Sequence, residues 1–220
     1  MARPCGAPGG TDRHDFFNRS RVVAEITSEM IKELREKTQA GMLDCKKALV
    51  ETGGDMDKAV EFLRKKGLAS ADKKMGREVT QGIVASYVHS NKKIGVLVEL
   101  LTVTDFVARN EAFEELGKDL CMQVAAACPL YVKIEDVPKE MVDKEREIYR
   151  EQMKDSGKPA NVIEKIVDGK LNKFYTDVCL LEQEFIKDSS VRIKDLIKQK
   201  IATFGENIEV GRFIRYQIGG

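Results

Sequence analysis

The apolar pattern of this 220-residue chain changes period along its length, and the order of those changes constrains the fold more than any other feature. From Thr27 to Gly67 apolar residues recur at helical spacing. From Gly82 to Val103 two runs rich in β-branched residues flank Ser90-Asn91-Lys92-Lys93, a turn that reads as the tip of a hairpin. Helical spacing returns from Asn110 to Phe204. The chain then alternates through Ile208, Val210, Arg212, Ile214, Tyr216 and Ile218, the signature of a strand. Two strands, several helices and a last strand predict an α+β fold, an antiparallel sheet covered by helices.

The first helical stretch divides into three. Thr27 or Ser28 caps the first helix, Glu29 occupies its first turn, and Met30, Ile31 and Leu34 form its apolar stripe. Gly41 breaks it. The second helix covers Leu43 to Glu51 with Cys45, Ala48 and Leu49 inward, and Gly53-Gly54 ends it. Asp55 caps a third, in which Met56, Ala59, Val60 and Leu63 share a face and Gly67 is the expected stop. This is a three-helix unit of the size of a ubiquitin-associated domain. The domain organisation expected is therefore a disordered tail or upstream extension over 1–24, the three-helix unit over 25–70, a polar linker over 71–81, of which Ala71 to Arg77 reads as linker or frayed helix, and the α+β core over 82–220. Within the core, helices are expected from Asn110 to Ala127, after Pro138 with Met141, Ile148 and Tyr149 on one side, around Ile163, Ile166, Val167, Leu171 and Phe174, and from Val191 to Phe204.

Composition removes several function classes. Lysine plus arginine total 37 against 36 for aspartate plus glutamate, so a chain held to nucleic acid mainly by counterion release is not expected. No stretch approaches the length of apolar chain that spans a bilayer, and the first residues contain no secretory h-region. Five cysteines at irregular spacing, without CxxC, point to a reducing compartment. Cys121 and Cys128, seven apart on a helix, lie about 10 Å apart along its axis and are too far apart to pair; the cysteines read as small buried hydrophobes. The two histidines, His14 and His89, have no zinc-helix spacing. GxSxG, GxGxxG and GxxxxGK[ST] are all missing, and no catalytic constellation, metal site or cofactor is expected.

The most informative stretch is Thr104-Asp105-Phe106-Val107-Ala108-Arg109-Asn110, where a strand gives way to a helix. Read plainly, Thr104 or Asp105 is an N-cap and Phe106 a core anchor. TDFVARNEAF, following Val98-Glu99-Leu100, nevertheless resembles the signature of the elongation factor Ts family. Other family landmarks follow in order: AGMLDCKKAL over 40–49, GGDMDKAVEFLRKKG over 53–67, GKPANVIEKIVDGKLNKF over 157–174, LLEQEFIKD over 180–188 and GENIEVGRFIRYQIGG over 205–220. The resemblance covers everything after Val23 and is closest to the short form of the family.

That resemblance implies a non-enzymatic exchange factor whose partner is the GTPase elongation factor Tu. It implies that Asp105 and Phe106, with Thr104 and Val107 completing the motif, enter the GTPase beside its nucleotide and magnesium. Met42 and Leu43, expected in the turn between the first two helices, serve either a small core or docking; the resemblance favours docking, with Lys46 as a charged contact. A homodimer through the sheet domain and a cytoplasmic location are also implied. Departures from the family pattern are Gln39 for glycine, Leu101-Thr102-Val103 for the usual Asn-Cys-Glu, Glu184 for proline and Gly211 for arginine, the last expected to loosen the final strand. Rival readings are a ubiquitin-associated adaptor, which leaves the TDFVARN corner and the long α+β region unexplained, an RNA-binding protein resting on Arg64-Lys65-Lys66 and Lys73-Lys74, and a hydrolase without a site.

Overall fold

The computed structural model describes residues 26–38 and 40–219. The expected tail over 1–24, with Cys5 and His14, and the departure at Gln39 lie outside the described residues. The described residues form two compact units, the first ending at Phe62 and the second beginning at Leu63.

In the first unit, α1 (Ser28–Thr38) and α2 (Met42–Glu51) precede the start of α3 (Met56–Lys74). Thr27 accepts the backbone N–H of Met30 at its hydroxyl, and Asp55 does the same for Lys58, so both expected caps form. Leu34, Cys45, Ala48, Leu49 and Ala59 are fully buried. Gly54, left-handed at φ 85°, turns the chain after α2 and donates its N–H to the Leu49 carbonyl.

Gly67 does not stop α3, which continues to Lys74. The physical reason is proximity: a Cβ at Gly67 would lie 3.0 Å from the Cβ of Ala202, so the glycine lets two helices approach closely. Ala71 is buried in the core of the second unit, and Asp72 pairs with Lys198 at 3.0 Å. The segment from Ala71 to Arg77, read as linker or frayed helix, is helical and packed as far as Lys74.

The second unit is built on a three-stranded antiparallel sheet of β1 (Gln81–Val88), β2 (Ile94–Thr102) and, far along the chain, β5 (Ile208–Gln217), in the order β1-β2-β5. The hairpin turn is as expected, closed by His89 N–H donating to the Ile94 carbonyl, with Lys92 left-handed at φ 57°. Val96, Val98 and Leu100 of β2 point inward and are buried against α5 (Glu111–Ala127) and α8 (Ile193–Phe204) through Phe113, Leu116, Leu120, Ile193, Ile197 and Ile201. A Cβ at Gly117 would stand 2.8 Å from that of Ala85, so only glycine lets α5 lie this close to β1.

Before α5 the chain makes a four-residue helix, described below, and between α5 and α8 a helical hairpin of α6 (Lys139–Glu151) and α7 (Ala160–Val178). Arg150 donates to both oxygens of Glu164, at 2.8 and 3.0 Å, and Arg146 pairs with Asp168 at 3.1 Å across that hairpin. The segment from Val191, read as the start of a helix, belongs instead to β4 (Asp188–Arg192), which pairs with β3 (Glu184–Phe185). Strands this short and polar carry no alternation long enough to be seen in the sequence.

Cys45, Cys121 and Cys179 are buried as expected, and burial pushes the thiols of Cys121 and Cys179 up to about 11. Cys128 is a correction: it is exposed, in the left-handed C-cap of α5 at φ 50°. The helix stops because Pro129 follows, and Cys128 falls outside the packed face.

At Gly211 the last strand continues through a local irregularity. Val98 faces Phe213 and Leu100 faces Val210, so Gly211 and Arg212 together oppose Glu99 in a bulge. A Cβ at Gly211 would come within 2.7 Å of Oε2 of Glu99, which instead pairs with Arg212 at 3.2 Å. At Glu184 the backbone carbonyl accepts from the buried Gln123 amide, and the side chain is exposed.

Candidate functional site

The chain leaves β2 at Thr102, runs extended through Thr104 (φ −121°, ψ 155°) and makes a single helical turn, α4 (Asp105–Ala108). Asn110 then caps α5, its side chain accepting the N–H of Ala112 at 2.9 Å. Val107 packs against the core and Ala108 is buried. The remaining two residues of α4 point away. Asp105 is half-exposed and forms an ion pair with Arg109 one turn on, at 3.2 Å. Phe106 is 85% exposed.

The plain reading of this corner holds for the N-cap position, which Thr104 occupies, and is corrected for Phe106. Thr104 is at the N-cap position, but its hydroxyl makes no cap bond to α4; it donates instead to Oε1 of Glu206 at 2.8 Å. Phe106 is no core anchor. The core aromatic is Phe113, fully buried and packed edge-on to Phe204 with ring centroids 6.0 Å apart. An aromatic side chain exposes a large apolar surface. Moving one from water into an apolar gap gains on the order of 2 kcal/mol, none of which the corner realises by itself.

The corner is nonetheless rigidly held. Oε2 of Glu206 accepts the backbone N–H of Thr104 at 3.0 Å and the hydroxyl of the buried Thr102 at 3.3 Å. Glu206 comes from the turn between α8 and β5, after left-handed Gly205 (φ 80°). Thr102 belongs to the stretch where this chain departs from the expected motif, and the substituted residue supplies a bond to the anchor. Sequence reading missed Glu206; no local signal marks it, because its partners lie more than a hundred residues away in the chain.

In the first unit, Met42 and Leu43 do not lie in a turn but open α2, after an extended Gly41 that provides no side-chain cap. They are 55% and 75% exposed. Lys46 is exposed one turn later and Val50 a turn beyond it, so Met42, Lys46 and Val50 follow one edge of the helix. The corner residues Thr104, Asp105, Phe106 and Val107 are contiguous in the second unit; Met42, Leu43 and Lys46 belong to the first.

A further surface escaped the sequence reading. The inner face of the sheet is covered by helices, but the outer face carries Val84 and Val88 of β1, Leu97 of β2, and Ile214 and Tyr216 of β5, all exposed. Leu97 stands directly opposite Ile214. Apolar residues on both faces of a strand are the sequence signal of a sheet covered on both sides. Among the described residues no group of His, Cys, Asp and Glu is arranged to hold a metal ion, and no helix is long and apolar enough to cross a membrane.

Comparison with known proteins agrees with these landmarks. The family model described as Elongation factor TS matches residues 14–220. Elongation factor Ts of Fervidobacterium nodosum is 61% identical over 195 residues, covering 89% of this chain and 99% of that protein. The protein of the same name from Thermotoga petrophila is 59% identical, over 89% of this chain and 97% of its own length. That from Carboxydothermus hydrogenoformans is 57% identical, over 88% and 89% respectively. With its sequence matched along nearly its whole length and its strand-to-helix corner in place, the chain belongs to the elongation factor Ts family and is a translation elongation factor.

Proposed function

We propose that this chain is a guanine-nucleotide exchange factor that binds elongation factor Tu in its GDP form and promotes GDP release. The observation that carries the reading is Phe106, a large aromatic held out in solvent on an anchored corner, with a carboxylate beside it. Such anchors lose little freedom on docking and dominate interface energies. In this reading Phe106 wedges into an apolar gap of the GTPase, and Asp105 disturbs the contacts that hold magnesium and phosphate. Magnesium demands near-ideal octahedral coordination, so a small displacement of its surroundings weakens the nucleotide. By linkage, the nucleotide weakens binding of the factor equally. No bond is made or broken, and the role is not that of an enzyme. It needs no cofactor of the factor's own, no membrane and no direct contact with nucleic acid, and it places the protein in the cytoplasm with the translating ribosome. Met42, Leu43 and Lys46 extend the docking surface.

The open face of the sheet is read as the homodimer interface. Its exposed apolar residues form a continuous band across three strands, and a second copy offers the same band in return.

Elongation factor Tu loaded with a fluorescent GDP analogue tests the exchange reading: acceleration of release by this chain supports it, and an unchanged rate with folded protein rejects it. Light scattering tests the dimer. A mass near twice 24.7 kDa supports it, and a concentration-independent mass near 24.7 kDa rejects it.

A further inference from the structure

We infer that Glu206 is a positioning residue for exchange: its carboxylate, brought from the far end of the second unit, holds the Thr104–Val107 corner in the conformation that presents Phe106. The inference rests on the exchange reading above and adds to it a residue that never touches the partner. A four-residue helix has too few internal hydrogen bonds to offset its nucleation cost. Phe106 contributes no packing to it, and Thr104 does not cap it. What holds it is the packing of Val107 and Ala108, the exposed Asp105–Arg109 ion pair, and two bonds from Thr104 to Glu206, its hydroxyl to Oε1 and its N–H to Oε2, with a third to Oε2 from the neighbouring Thr102. Charged acceptors of this kind make short, strong bonds and fix direction as well as distance.

The clamp is itself braced. Glu206 is half-buried between Gly205 and the buried Asn207. Asn207 donates through Nδ2 to the Arg77 carbonyl at 2.8 Å and to Glu209 at 2.7 Å. Both carboxylate oxygens of Glu206 are engaged inward, so its effect on exchange runs through the corner. Without the clamp the corner samples other conformations, and the docking-competent fraction falls. Apparent affinity falls by that fraction, whereas the rate at saturation, where Phe106 is seated, does not.

The test is Glu206→Gln, which removes the negative charge and leaves one acceptor oxygen where Thr102 and Thr104 met two. Amide hydrogen exchange of the free protein reads the clamp without any partner: the hydrogen-bonded amides of Thr104, Ala108, Arg109 and Asn110 are expected to lose protection by about tenfold or more while α5 and β2 keep theirs. In the GDP-release assay the half-saturating concentration is expected to rise by about tenfold with an unchanged plateau. Placed on a Phe106→Ala background, Glu206→Gln is expected to add less than about twofold, because both act through one side chain. Thr102→Val, which removes one bond at a buried site, moves the same two readouts by about two- to threefold and serves if Glu206→Gln does not fold. Unchanged protection at Thr104, or an undiminished Glu206 effect without Phe106, overturns the inference. Wild-type protein that leaves GDP release unaltered overturns the exchange reading itself, and the partner-free amide protection tells that failure from failure of the clamp.

Discussion

The two surfaces offered for docking both open a helix with exposed apolar side chains, yet they are held in different ways. At the start of α2, Met42 and Leu43 follow a glycine with no side-chain cap, and the turn is supported by near neighbours such as the bond from Cys45 N–H to the Gly41 carbonyl. At α4, Phe106 stands on a backbone tied to Glu206 about a hundred residues away and backed by the main core. The difference teaches that exposure alone does not make an anchor. A side chain on a locally supported turn still loses conformational freedom on binding, whereas one on a braced corner has lost most of it during folding.

Four substitutions sharpen or break this contrast, in decreasing order of effect. Phe113→Ala, seven residues beyond Phe106 but inside the core, is expected to lower stability by about 3–5 kcal/mol in urea unfolding. Phe106→Ala is expected to leave the urea midpoint nearly unchanged and to slow stimulated GDP release at least about tenfold, a hot-spot loss of about 2 kcal/mol. Wild-type release in that variant would strip the corner of its role. Leu43→Ala is expected to raise the half-saturating concentration by about fivefold, near 1 kcal/mol, as for a peripheral contact; a loss equal to that of Phe106→Ala would erase the distinction between the two surfaces. Lys46→Ala is expected to weaken docking about twofold at low salt and not at all at high salt, as for an exposed charge. A salt-independent loss would place Lys46 in a desolvated pair.

Much of the fold was legible because each element carries its own period. The stripe of Leu34, Cys45, Ala48 and Leu49 and the alternation through Ile208 and Val210 report burial directly. The corner was legible as a place, since Asn110 caps α5 in the ordinary way. Its state was not. An aromatic between a strand and a helix is more often core, and only the three-dimensional packing shows that Phe113 fills that role and Phe106 does not. Gly67 misled because a glycine in a helix looks the same whether it ends the helix or admits a neighbour. Glu206 was invisible because its carboxylate acts across the fold, and β3 and β4 because their alternation is too short to register.

The topology of the sheet bears on how this molecule is made. β2 is the middle strand, yet one of its two neighbours, β5, emerges from the ribosome after every other element of its unit. The first unit, closed by contacts between adjacent helices, is able to fold while synthesis is still under way. The second must keep β2 half-satisfied until β5 is made, its apolar residues without their final cover. A factor that serves translation thus passes, during its own translation, through an interval before β5 is made in which its central strand is exposed and chaperone capture and aggregation compete with folding.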